Sequence, residues 1–174
     1  LAAQNQGALR FNTENTAHYI TDYQGVLLDQ ILDTITELDS TSKLQVVQER
    51  RLLAEAGHIS FAELVPVIEK LTEESSYLVV SGVKAVLSGL KIFVEEGSES
   101  EKAYNDLVIK LSRFNFDRLG FEAKDGESDE DELVRQIVIG NLIAANDEKA
   151  TQEADGIFKA HQDDLEKLPA AIRL

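Results

Sequence analysis

DEDELVRQIVIGNLIAA, residues 129–145, is the stretch on which the fold turns. Four carboxylates, Asp129 to Glu132, lead into an apolar run interrupted by Arg135, Gln136, Gly140 and Asn141. Acidic side chains in a first turn suit the positive end of a helix dipole. The run contains no proline, so it reads as one long, strongly apolar helix with a solvated N-terminus.

The same periodicity extends outward in both directions. Upstream, Tyr104, Leu107, Val108 and Leu111 form the stripe of a helix over about 101–118, closed by Leu119-Gly120-Phe121. Before it, Ser75 or Ser76 caps a helix from Tyr77 to about Val94, with Gly82 and Gly89 on one face where a neighbour can approach closely. Ser60-Phe61-Ala62-Glu63 is a capping box. It opens a helix through Leu64, Val67, Ile68 and Leu71, in which Pro66 implies a kink or a delayed start.

Further upstream, Asp39, Ser40 and Thr41 offer caps for a helix carrying Leu44, Val47, Arg51 and Ala54, with Gly57 as its left-handed stop. The first helix spans about Tyr23 to Leu38, with Val26, Leu27, Ile31 and Ile35 inward. Downstream, Ala150, Ala154, Ile157 and Phe158 line a helix over about 148–161, and Leu165 begins a further element. These seven helices, joined by short connections, predict an all-α fold: an irregular, HEAT/armadillo-like superhelical stack of antiparallel hairpins. No fixed-period repeat signature is present.

Composition narrows the function. The net charge of −15 disfavours nucleic acid and anionic membrane surfaces as partners. No apolar run reaches the roughly 18–20 residues of a membrane span. The absence of cysteine excludes disulfides and thiolate chemistry and leans towards a reducing, cytoplasmic setting. With no methionine, Leu1 is not a natural start, and the chain reads as a piece of a longer protein.

Catalytic motifs are missing. His18, His58 and His161 are followed by Tyr19, Ile59 and Gln162, so none opens an H-E-x-x-H zinc motif. Asp125 to Glu132 resembles a calcium loop superficially but lacks the alternating ligand order, and a solvated helix N-terminus explains it better. Phosphate-binding glycine loops and a G-x-S-x-G elbow are also absent. The sequence therefore assigns no catalytic residue and no metal ligand to this chain.

Five ordered segments nevertheless carry a resemblance. Leu119-Gly120-Phe121-Glu122-Ala123-Lys124-Asp125-Gly126-Glu127-Ser128, followed by Leu133-Val134-Arg135-Gln136-Ile137-Val138-Ile139, resembles the L-G-W-E-x-K-x-G-E-S … L-L-R-x-L-V-L segment of the aminopeptidase N family. Leu53-Ala54-Glu55-Ala56-Gly57-His58-Ile59-Ser60-Phe61 is similar to that family's L-A-x-A-G-x-L-S-Y, and Leu71-Thr72-Glu73-Glu74-Ser75-Ser76-Tyr77 to its L-x-x-E-x-x-Y. Leu168-Pro169-Ala170-Ala171-Ile172-Arg173 resembles L-P-A-D-L-R, and Leu9-Arg10-Phe11-Asn12 the Y-R-V-N that ends the family's β-sandwich. Departures are Val79-Val80 in place of Pro-Trp, Phe121 in place of tryptophan, and Gln48-Glu49 in place of an acidic pair.

The resemblance implies that 1–15 end a β-sandwich domain or form a linker, and that 16–174 begin a helical C-terminal domain. It implies a parent zinc aminopeptidase whose metal lies upstream, with the catalytic and β-sandwich domains and peptide substrates as partners. In that setting the helices close a chamber over the zinc domain and limit peptide entry. Arg135, a lone cation in an apolar helix, is the candidate peptide-binding residue; its structural alternative is a pair with Asp131 one turn earlier. A rival function is a stand-alone helical scaffold for protein–protein interaction.

Overall fold

The computed structural model describes residues 8–13 and 16–169. Among these it is all-helical, with seven α-helices and no strand. Contacts divide it into two compact units, 1–71 and 72–174.

The first unit begins with irregular chain. Leu9 to Asn12 pair with no strand, and the remainder of the segment read as a domain end, 1–7 and 14–15, lies outside the described residues. Helix α1 covers Val26–Thr34 and tightens into a 3-10 turn over Ile35–Glu37. It starts three residues later than the periodicity suggests, because Gly25 adopts φ +54° and breaks the chain from Tyr23. Ile31 and Ile35 are fully buried as expected, whereas Val26 and Leu27 are exposed, so the inner face is narrower than predicted.

Helix α2, Ser40–Glu55, is capped by Asp39, whose carboxylate accepts from Ser42 N at 3.0 Å. It ends in a Schellman closure, with His58 N donating to Leu53 O at 2.9 Å and Gly57 N to Ala54 O at 3.0 Å. The Ser60 capping box is formed: Glu63 accepts from Ser60 N at 2.8 Å and Ser60 Oγ from Ala62 N at 3.2 Å. Pro66 produces the delayed start. A 3-10 turn over Phe61–Leu64 comes first, and α3, Val65–Glu69, follows with proline in its first turn, where its missing N–H costs nothing.

In the second unit α4 is Tyr77–Lys91, α5 Glu99–Leu119, α6 Asp129–Ala144 and α7 Glu148–His161. The α5 and α6 helices pack most extensively, and α6 also meets α4 and α7. Their core gathers Phe116, Leu119, Phe121, Val134, Val138, Ile139, Leu142 and Ala150. The Phe116 and Phe121 rings meet edge to face at 5.5 Å, the geometry their quadrupoles favour.

The connection from α6 to α7 is short because one residue ends the first helix and the next starts the second. Asn146 turns at φ +56°, Asp147 N returns to Leu142 O at 2.9 Å, and Asp147 Oδ1 then caps α7 through Ala150 N at 2.9 Å. Ala150 is buried, and Ala154 and Ile157 pack against the core, but Phe158 is half exposed rather than inward. The element begun at Leu165 is a 3-10 turn over Leu165–Lys167, and 170–174 lie outside the described residues.

Burial predicts where truncation hurts. Leu142, with no exposed surface, and Ile143, more than a third exposed, are neighbours on α6. Leu142→Ala should lower stability by about 2–5 kcal/mol and Ile143→Ala by under about 1 kcal/mol, read by urea unfolding.

Candidate functional site

The turn from α5 into α6 collects the arginines and carboxylates that the sequence singled out. Leu119 and Phe121 are buried, which anchors both sides of Gly120 in the core. The chain reverses there at φ +61°, ψ −159°, a region open essentially to glycine alone. Gly126 reverses again at φ +87°. Between them Glu122 to Asp125 are exposed, and Lys124 Nζ folds back to donate to Arg118 O at 2.7 Å.

Those two reversals deliver Glu127 and Ser128 to the start of α6. Ser128 is the N-cap: its Oγ accepts from Asp131 N at 3.3 Å, and Asp131 Oδ2 accepts from Ser128 N at 3.0 Å. The other Asp131 oxygen accepts from Arg118 Nη1 at 2.6 Å, a short charge-assisted bond. Arg118 Nη2 donates to Asn115 Oδ1 at 3.0 Å, and Asn115 Nδ2 to Glu74 O at 2.7 Å. Helix α4 is tied to the same cluster. Ser76 gives it no side-chain cap, and Glu130 Oε2 accepts from Tyr77 N at 3.4 Å.

Arg135 lies one turn further along α6, buried to 2 % exposure. Its Nη2 is bonded to Glu127 Oε2, and its Nε is buried without a partner among the described residues. The alternative pairing with Asp131 does not form. Asp131, one helical turn earlier, is taken by its own capping box and by Arg118. A buried guanidinium left alone would cost several kcal/mol, so Glu127 from the preceding loop fills the vacancy.

The electrostatics follow the bonds. The Arg135 hydrogen bond holds the Glu127 carboxyl below its usual range. For Asp131 the leading cause is the Ser128 backbone N–H, followed by the Arg118 hydrogen bond. A second arrangement sits at the start of α7. Arg113 pairs with Asp147 and Lys149 with Asp117 at 2.8 Å, while both cations approach the Phe116 ring, at 5.8 and 5.5 Å.

These carboxylates are committed as acceptors, and the site's chemistry is charge pairing and loop positioning. The described residues include no group of three or more histidine, cysteine or acidic side chains placed to hold a metal. His18 and His58 are exposed and His161 half-buried at the end of α7. Zinc therefore does not fit the described residues, and no step through it is assigned to this chain. Sequence reasoning picked Arg135 but missed its partner and the Arg118–Asp131–Asn115 chain. The available signal was the resemblance segment, which contains both Glu127 and Arg135 in one motif.

Two outcomes test this assignment. A Cβ at Gly120 meets nothing within 4 Å, so Gly120→Ala adds backbone strain alone and should cost about 1–3 kcal/mol in thermal or urea unfolding. Because Glu127 and Asp131 are depressed in the fold, their contribution is complete above the ordinary carboxylate values near about 4 and lost as pH falls through the lower, paired values. Melting temperatures taken from pH 7 to 2 should fall in that acid window, and Asp131→Asn should flatten the fall.

Comparison with known proteins places this geometry in a family. The ERAP1-like C-terminal domain family matches residues 9–174. Aminopeptidase N of Lactococcus lactis subsp. lactis is 51% identical over 174 residues, 99% of this chain and 20% of its own length. The protein of the same name from strain IL1403 of that subspecies is 44% identical over 99% of this chain, and that of Lactobacillus helveticus 39% over 95%. The chain thus spans about a fifth of the length of these relatives. With the all-helical fold and the glycine-framed turn into α6 in place, the chain belongs to the ERAP1-like C-terminal domain family.

Proposed function

We propose that this chain is the first part of the helical C-terminal domain of a zinc-dependent aminopeptidase. There it encloses the active-site chamber and controls peptide access while the parent removes N-terminal amino acids from peptides. The observation that carries the proposal is the family match along nearly the whole chain, together with relatives named aminopeptidase N at up to 51% identity. In this reading zinc belongs to residues outside the chain, and the catalytic and β-sandwich domains of the same polypeptide are its partners. Successive helix pairs build a superhelical wall, and the parent works in the cytoplasm. No helix among the described residues is long and apolar enough to cross a membrane.

Arg135 enters the proposal as the contact for a peptide carboxylate. The guanidinium is already paired with Glu127, so a peptide carboxylate takes that place charge for charge, and Nε supplies a further donor. Uniform loss of such a contact raises KM and leaves kcat alone.

The test uses the full-length parent enzyme, with a single-residue chromogenic substrate and peptides of increasing length. Arg135→Ala should raise KM for peptides about tenfold, the equivalent of one charge-assisted hydrogen bond, with the single-residue substrate unaffected. Arg135→Lys should recover part of the loss. Unchanged peptide KM and kcat would sink the contact, and a full-length relative with no zinc motif outside this region would sink the larger reading.

A further inference from the structure

The first unit buries a group that the family reading does not use. Helix α2 sequesters Ser42, Lys43, Gln45, Glu49 and Arg50, polar residues that a two-layer helical packing would leave in water. Irregular chain at 8–13 and 16–24 covers part of them. Arg10 Nη2 donates to Gln45 Oε1 at 3.3 Å, and Gln45 Nε2 donates to Glu49 Oε1 at 3.0 Å. Thr21 N–H is a further donor to Glu49. Arg50 Nη1 donates to Tyr23 O at 3.0 Å, and Phe11 N to Tyr23 Oη at 2.7 Å.

Within this cluster Glu49 is 7 % exposed, and the side chain that donates directly to it is the neutral Gln45 amide rather than a cation. The charged or titratable groups around it can be named by element. The covering segment brings Arg10, Asp22 and the exposed His18, the 3-10 turn before α3 brings Glu63, and α2 itself carries Lys43, Arg50 and Arg51. Arg50 takes up Asp22 at 3.6 Å and Glu63 at 3.5 Å, and Arg51 takes up Glu55. Arg10 acts on Glu49 at one remove, through the Gln45 amide.

Thr21, whose backbone N–H acts on Glu49, also carries a buried Oγ1 with no partner among the described residues.

We propose that the Arg10–Gln45–Glu49–Thr21 cluster is a proton-operated latch, in which a neutral Glu49 holds the covering segment on α2 and an ionised Glu49 loosens it. Burial raises the Glu49 carboxyl above its ordinary value, ahead of the opposing hydrogen bonds from Gln45 and Thr21 and the charge of Arg10. A raised acid binds its proton more tightly in the fold than in the open chain. Latch stability is therefore complete below the unfolded value, near about 4.3, and falls as pH rises through the folded one.

Hydrogen exchange in the full-length protein, resolved to peptides within 16–24 and corrected for intrinsic rates, reads the latch directly. Protection of this segment should drop by about threefold or more between pH 4.5 and 8 in the wild type. In Glu49→Gln, neutral at every pH and nearly isosteric, protection should stay level and match the acid value of the wild type. Gln45→Met, which cuts the link to Arg10, should lower protection at both ends while leaving a slope. A level wild-type profile, or an unchanged slope in Glu49→Gln, overturns the proposal.

Discussion

A guanidinium taken out of water must be met by a negative charge held in place, and Arg135 imposes that condition on the second unit. At 2 % exposure on α6 it has no solvent to fall back on, and the carboxylate that answers it is Glu127. Glu127 precedes the helix, so it can reach Arg135 only if the chain arrives at α6 along one path. Gly120 and Gly126 make that path possible, Phe121 anchors it in the core, and Ser128 converts its end into a helix cap. Asp131 then faces Arg118, which links α6 to α5 and through Asn115 to the chain ahead of α4. Leu-Gly-Phe-Glu-x-Lys-x-Gly-Glu-Ser is thus explained at every fixed position but the exposed Glu122, each of the others carrying a backbone angle, a core contact or a bond.

The first unit solves a different problem. Its central helix α2 buries five polar side chains against four apolar ones, because part of its surface is covered by irregular chain instead of a helix. Irregular backbone brings unpaired N–H and C=O groups, and polar side chains from α2 satisfy them. Arg50 bonds the Tyr23 carbonyl and Glu49 receives the Thr21 N–H for that reason. The unit thereby gains specificity for one docking of the segment, at the cost of desolvating a carboxylate. That desolvation is what makes Glu49 sensitive to pH, whereas Glu127 and Asp131, paired with arginines, respond in the opposite sense.

Helix existence was legible because it depends on local pattern. The Ser60-Phe61-Ala62-Glu63 box, the Asp39 cap, the Gly57 stop and the acidic start of α6 all formed as the residues suggested. Errors fell where burial depends on what lies opposite. Val26, Leu27 and Phe158 continue an apolar stripe yet remain exposed, since nothing in their own unit covers them. Gln45 and Glu49 break the stripe of α2 yet are buried, since Arg10 and the chain at Thr21 return onto them.

The candidate site divides the same way. Arg135 stood out in sequence because a lone cation inside an apolar run is visible in one dimension. Its partner did not, because the i, i+4 rule offers Asp131, and that rule cannot see Arg118 thirteen positions upstream competing for the same carboxylate. By itself, then, the sequence determined the helical class, most caps and the resemblance in the α5–α6 turn, all consequences of short-range periodicity and backbone preference. Tertiary structure alone decided which carboxylate meets which arginine and which polar side chains lose their water. Those outcomes follow from distances across the fold, which no spacing along the chain encodes.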